Sequence, residues 1–259
     1  MRKLTLLAVL AVCPIIAHAG EWAHNYPVNG KPELVVDTND ADVEITVGAA
    51  QQVEARVITH GLKINNDLKI TDTQNGNRVE LQLHESKHVC FGFCSYGVRL
   101  ELRVPREADL NIHTGDGNIR VDAVKGNLQL ETGDGDVRLS DIEGILRTDT
   151  HDGNINVRGK LDVLDLRTGD GDIDAEVSAL SAPQPGWMLR SGDGNITLRL
   201  PSDFRADIDA HTGDGRLDMD FPIATSVAGR ENSIEGKING GGIAVELRTG
   251  DGDIHVSKM

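Results

Sequence analysis

Aromatic residues make up only 3% of this 259-residue chain: two Trp, two Tyr and four Phe. A core built around large rings is excluded, and a sugar-cleaving cleft would lack stacking platforms. Basic residues are also few, 26 Lys and Arg against 41 Asp and Glu, leaving a formal charge of −15. Such a surface repels nucleic acid and anionic membranes, whose attraction works through Lys and Arg. Long apolar runs are missing apart from Leu4–Val12, which is too short to span a bilayer. No stretch carries the three-to-four spacing of an amphipathic helix over a useful length. Neither a G-x-S-x-G nucleophile turn nor a phosphate-cradling glycine loop occurs. Glycosidic chemistry needs one carboxylate pair at a defined separation, whereas carboxylates here recur evenly along the chain. These absences argue against an enzyme.

What is present begins with an export signal. Arg2 and Lys3 precede the run Leu4–Val12, and Ala17-His18-Ala19 forms an A-x-A site before Gly20. Cys13 follows Val12, where lipidation needs a small residue, and precedes Pro14, so a lipid anchor is not expected. The reading is a signal peptide over residues 1–19 and a mature chain from Gly20, located in the periplasm or on the cell surface. Losing Arg2 and Lys3 makes that mature chain two charges more negative.

A four-residue core then recurs seven times. Thr114-Gly115-Asp116-Gly117 returns as Thr132-Gly133-Asp134-Gly135, Thr168-Gly169-Asp170-Gly171, Thr212-Gly213-Asp214-Gly215 and Thr249-Gly250-Asp251-Gly252. Altered copies are Thr150-His151-Asp152-Gly153 and Ser191-Gly192-Asp193-Gly194. The first four copies are 18 residues apart, and later intervals are 23, 21 and 37. A fixed period near twenty residues marks a stacked repeat. The last interval leaves room for one degenerate coil around Gly240-Gly241-Gly242. Apolar residues alternate on both sides of each core, as in Leu128, Leu130, Thr132 and then Val137, Leu139, which predicts strands with one buried face. The expected core includes Ile112, Ile119, Val121, Leu128, Leu130, Val137, Leu139, Ile155, Leu166 and Ile173.

Each core reads as a turn: glycines on both sides of Asp would supply positive φ, and Asp would bond nearby amides. "LVVDTNDADVEITV" (34–47) matches "LNIHTGDGNIRV" (110–121) position by position, and "LKITDTQNGNRVELQL" (68–83) reads as a further strand–turn–strand through Asn75-Gly76. The expectation is one all-β domain over 20–259, with degenerate repeats and a cysteine loop in 20–105 and regular repeats in 106–259. The fold expected is a parallel β-solenoid of strand–TGDG turn–strand units. An antiparallel sandwich or meander is the alternative, since Asp-Gly also suits a two-residue hairpin.

The run "VRLELRVPREADLNIHTGDGNIRVDAVKGNLQLETGDGDVRLSDIEG" (98–144) resembles the DUF4097 family of β-strand repeat proteins, often labelled adhesins. The resemblance rests on "LRVP" (102–105), "ADLNI" (108–112), the succession of T-G-D-G turns and the closing "GGGIAVELRTGDGDIHV" (240–256). It implies a β-solenoid exposed on the bacterial envelope, and it covers roughly residues 30–257.

Two candidate sites remain. Asp116, Asp134, Asp152, Asp170, Asp193, Asp214 and Asp251 would stack along one edge, beside Asn118, Asp136, Asn154, Asp172, Asn195, Arg216 and Asp253. Turn chemistry alone explains the first column. Calcium relieving carboxylate repulsion is the alternative, although the nine-residue calcium-solenoid signature is absent. In "HESKHVCFGFC" (84–94), His84, His88, Cys90 and Cys94 could ligate zinc or copper, but H-x3-H-x-C-x3-C matches no strong zinc pattern. Cys90 and Cys94 are the only mature cysteines, and an oxidising compartment favours a Cys90–Cys94 disulfide; free thiols or a metal are the other readings. The leading function is a non-enzymatic envelope module that binds an unidentified surface component, without cofactor. A divalent-cation-binding periplasmic protein is the second.

Overall fold

The computed structural model describes residues 20–86, 96–179, 186–225 and 232–259. The expected signal peptide, residues 1–19, and the expected Cys90–Cys94 disulfide lie outside the described residues. The N-terminal strands are β1 (Glu21–Pro27), β2 (Glu33–Thr38), β3 (Asp42–Val47), β4 (Gln52–His60), β5 (Leu68–Asn75), β6 (Arg78–Glu85) and β7 (Gly97–Val104). The regular repeats give β8 (Asp109–Thr114), β9 (Ile119–Asp122), β10 (Lys125–Thr132), β11 (Val137–Thr150), β12 (Ile155–Thr168), β13 (Ile173–Ser178), β14 (Trp187–Ser191) and β15 (Ile196–Leu200). The chain ends with β16 (Ala206–Thr212), β17 (Leu217–Met219), β18 (Ile223–Thr225), β19 (Ser233–Ile238), β20 (Ile243–Thr249) and β21 (Ile254–Lys258). No helix long and apolar enough to cross a membrane occurs among the described residues.

These strands form a parallel β-solenoid with two walls. One strand of each coil enters the T-G-D-G corner from the first wall and the next leaves it along the second. Leu110, Leu128 and Leu146 pair in register on the first wall, and Ile119, Val137 and Ile155 on the second. Alternation therefore sends one row of side chains inward in every coil, and all ten expected core residues are at most 2% exposed. The long strands β11 and β12 continue around the second corner and belong to both walls.

Coil order departs from chain order at both ends. The first wall runs β6–β2–β8–β10–β11–β12–β14–β20–β16, all parallel. The second runs β7–β3–β9–β11–β12–β13–β15–β21–β17, again parallel. The β2–β3 coil thus lies between two later ones, and the C-terminal β20–β21 coil between two earlier ones. The interval from Thr212 to Thr249 does not hold an extra coil, contrary to the spacing argument. It holds β18 and β19, antiparallel strands that cover β16, and a crossing turn at Asn239–Gly242. At the other end the 68–83 element is an antiparallel hairpin, β5–β6, while β4 adds antiparallel to β7 and β1 antiparallel to β4.

Among the described residues, aromatic rings pack toward these ends, where the narrow aliphatic lumen stops repeating. Trp187 and Phe204 pack with ring centroids 5.1 Å apart near one end. At the other, His24 stacks on Tyr26 at 4.5 Å, and the Tyr26 hydroxyl donates to Asp72 Oδ2 at 2.9 Å. Burial, with that bond to a carboxylate, pushes the Tyr26 hydroxyl well above its ordinary pKa.

Candidate functional site: the corner columns and outer walls

Each T-G-D-G or variant corner is organised by a hydroxyl. Thr132 Oγ1 donates to the Gly117 carbonyl of the adjacent coil at 2.9 Å, Thr168 to Gly153 at 2.9 Å, Ser191 to Gly171 at 2.9 Å and Thr249 to Gly194 at 2.7 Å. Several of these oxygens also accept from their own corner, as when the Gly171 amide donates to Thr168 at 3.1 Å and the Gly194 amide to Ser191 at 2.9 Å. The hydroxyl therefore satisfies two buried backbone groups at once, which an aliphatic residue could not do. Serine serves as well as threonine because the methyl group has no part in either bond.

The corner glycines are required for a reason different from the expected one. None of Gly115, Gly117, Gly133, Gly135, Gly153, Gly169, Gly171, Gly194, Gly215 or Gly252 has positive φ. Left-handed residues sit at the opposite corner instead, at Ala123, Asp141 and Gly144. What the T-G-D-G glycines provide is closeness. A Cβ on Gly133 would lie 2.6 Å from the Gly115 carbonyl oxygen, and one on Gly135 would overlap the Gly117 oxygen outright. The second glycine is the stricter: the first is replaced by His151 in one coil, while the second is kept in all seven T-G-D-G and variant cores. Ala41 takes that place in the β2–β3 coil. Asp116, Asp134, Asp170, Asp193, Asp214 and Asp251 point along the solvent edge, with Asp40 continuing the column and Asp152 3.7 Å from His151. Among the described residues no three His, Cys, Asp or Glu side chains are grouped to hold a metal.

Beside the Asp column runs a bonded ladder. Asn118 donates through its backbone amide and Nδ2 to Asp42 Oδ1, and the Asp136 amide donates to Asn118 Oδ1 at 3.0 Å. The pattern repeats through Asn154, Asp172, Asn195 and Asp253 with backbone-amide distances between 2.7 and 2.9 Å. Arg216 closes it, donating from its backbone to Asp253 Oδ1 at 2.8 Å and from Nη2 to Oδ2 at 2.9 Å. In space the order is strictly Asp, Asn, Asp, Asn, Asp, Asn, Asp, Arg. Alternation separates carboxylates by two coils, about 10 Å, where water and salt screen them. Burial alone would raise the Asp136 pKa, but the Asn154 backbone and side-chain amides, with Arg138, hold it below the ordinary carboxylate value. Arg216 holds Asp253 down in the same direction, mainly through its side-chain bond.

The outer walls are open and paired. On the first wall His113, Glu131, Asp149, Arg167, Arg190, Arg248 and His211 form one row in space, acidic at one end and basic at the other. Burial raises the Asp149 pKa, opposed by Arg167 and helped by Glu131 and Asp165. On the second wall a shallow groove is lined by Arg120, Arg138, Ser140, Asn156, Arg158 and Asp174. The residues His84 to His88 also spell H-E-x-x-H, a zinc-protease pattern that works only when a helix places both histidines on one face. Here His84 and Glu85 are consecutive residues of strand β6, so the helical context is absent. His88 lies outside the described residues.

No curated protein matches the chain in sequence. Among solved structures, a protein named for cell adhesion from Clostridium sporogenes is 14% identical, with 93% of this chain and 100% of that chain covered and a TM-score of 0.43. A protein named for lipid binding from Parabacteroides distasonis is 13% identical, with 93% and 97% covered and a TM-score of 0.45. A protein named as an adhesin from Bacteroides fragilis is 10% identical, with 92% and 97% covered and a TM-score of 0.40. The Toastrack DUF4097 family matches residues 32–179 and 145–257, and with most of its length so covered the chain belongs to that family.

Proposed function

We propose that this protein is a non-enzymatic interaction module, exported after cleavage near Ala19-Gly20, that binds an envelope or surface component through the outer walls of its solenoid. One observation carries this reading. Each of the seven T-G-D-G and variant coils spends its inward side chains on the core and its corner hydroxyl on backbone bonds, which among the described residues leaves the open, repeating walls to meet a partner. Catalysis requires a unique constellation shielded from water, whereas these walls repeat similar chemistry from coil to coil.

The test uses the mature chain as bait for purified envelope fractions, with two surface variants. Arg138→Glu changes the second wall, and Arg167→Glu changes the first. Capture of one component that is lost with one variant and kept with the other, at unchanged melting temperature, supports wall-specific recognition. Equal capture by both variants and by an unrelated acidic protein would overturn it.

A further inference from the structure

The C-terminal coil occupies a slot made by parts of the chain that precede it. β20 lies between β14 and β16, and β21 between β15 and β17, with parallel hydrogen bonding on both sides. Ile243, Val245, Leu247, Ile254 and Val256 complete the core from within this coil. Its covalent attachment is the four-residue link Asn239–Gly242, which passes over the start of β16 to bring the chain from β19 to β20.

That link is crowded. Asn239, Gly240 and Gly241 have φ values of 48°, 88° and 87°. A Cβ on Gly241 would lie 2.7 Å from Asp207 Oδ1, and one on Gly242 would collide with the Arg205 carbonyl oxygen. The Asn239 amide is pinned to the Ser202 and Phe204 carbonyls at 3.1 and 2.8 Å. Extending these four residues would release a left-handed run, including a non-glycine residue in a conformation L-amino acids rarely adopt.

The slot also selects its occupant by charge. It presents Arg190 to Glu246 at 2.8 Å, Arg216 to Asp253 at 2.9 Å and Asp209 to Arg248. The incoming coil must therefore carry two carboxylates and a guanidinium at those places, as well as a T-G-D-G corner for close stacking. This chain's own residues 243–258 meet every condition.

We propose that the partner fitting this slot is the C-terminal coil of a second copy, so that two chains exchange β20–β21 reciprocally. The exchange preserves each hydrogen bond, ion pair and core contact and changes only the link, which is the condition for low-cost swapping. Short, crowded hinges favour it. Exchange requires the slot to open first, so it occurs during folding or slow local unfolding and depends on concentration.

Thr197 and His255 are outward-facing neighbours in register across β15 and β21. Chains carrying Thr197→Cys and His255→Cys, one batch isotope-labelled and one not, are mixed unfolded, refolded together at several concentrations and oxidised. Peptide mass spectrometry then reads whether each 197–255 disulfide joins like or unlike chains. The expected result is labelled–unlabelled links that increase with protein concentration. They should approach the statistical proportion when Gly240 and Gly241 are deleted and the link can no longer close within one chain. Links confined to like chains at every concentration, in the full-length link as in the shortened one, would overturn the proposal. If the deleted chain fails to fold, the full-length mixture decides alone.

Discussion

Asp134 and Gly135 are neighbours in one corner, yet the structure assigns them unequal weight. Gly135→Ala adds a methyl group against the Gly117 carbonyl of the next coil, backbone that cannot step aside. Its φ is not positive, so the whole cost comes from crowding, about 1–3 kcal/mol or more. Asp134→Asn leaves the edge in solvent and should stay within about 0.5 kcal/mol. Urea unfolding of the two variants, with calcium and with chelator, checks the order. A loss for Asp134→Asn seen only in calcium would instead make the column a cation site, since a ligand stabilises only the state that binds it. The threonines offer a second contrast. Thr148 stands in the aliphatic column between Leu130 and Leu166, 3% exposed, and its hydroxyl has no hydrogen-bond partner. Thr148→Val should stabilise by about 1–3 kcal/mol, because it removes an unsatisfied buried oxygen at equal volume. Thr132→Val, which leaves the Gly117 carbonyl without its donor, should lose stability by a similar amount. Opposite shifts in urea midpoint are the expected outcome; a loss in both would mean that Thr148 has a partner after all.

At the scale of strands and ladders, the Asx row ties stability to pH. Asp136 titrates below its ordinary value of 3.8 in the folded chain. A depressed carboxylate contributes stability that is present above the unfolded pKa and is lost as pH falls through the lower, folded one. Asn154→Ala removes the Nδ2 donor at 3.1 Å while keeping the backbone amide, so the Asp136 carboxyl should move up and the acid loss should begin at higher pH. Carbon-detected titration of the Asp136 side chain between pH about 2 and about 6 measures this; an unchanged midpoint would show that the side-chain amide contributes nothing. Much of the element level was legible in the sequence. Alternation located the strands and their inward faces, and the 18-residue period showed that Thr114, Thr132, Thr150 and Thr168 stack. The cause of the glycines was not legible, because a residue required by positive φ and one required by close approach are the same letter. Neither was the order of the last coils, since every coil offers its neighbours the same apolar pattern. One signal was nevertheless present. The series Asn118, Asp136, Asn154, Asp172, Asn195 alternates, breaks at Arg216 and resumes at Asp253, so placing Asp253 directly after Asn195 restores the alternation.

For the molecule as a whole, that reordering decides which parts depend on which. A solenoid is stabilised by nearest-neighbour contacts between coils, so losing one coil harms mainly what rests on it. Were the coils stacked in chain order, a chain ending at Gly242 would lose its outermost layer and little else. In the observed order residues 243–259 are internal. Their removal leaves β17 without any strand partner among the described residues, since it pairs only with β21, and leaves β16 held only by β19. It also bares the outer edges of β14 and β15, and with them Trp187 and the Leu189 and Leu198 core positions. The truncated chain should therefore lose amide protection over residues 206–219, which remain covalently present, while β8 to β13, two or more coils away, keep theirs. Hydrogen exchange on the full and truncated chains separates the two outcomes directly. Persistent protection at Ile208, Ala210 and Leu217 after truncation would mean that β16 and β17 stack without the C-terminal coil, and the intercalated order would be wrong. Protection lost through Leu130 and Leu166 as well would mean that the solenoid unfolds as one unit, with coupling reaching well beyond adjacent coils.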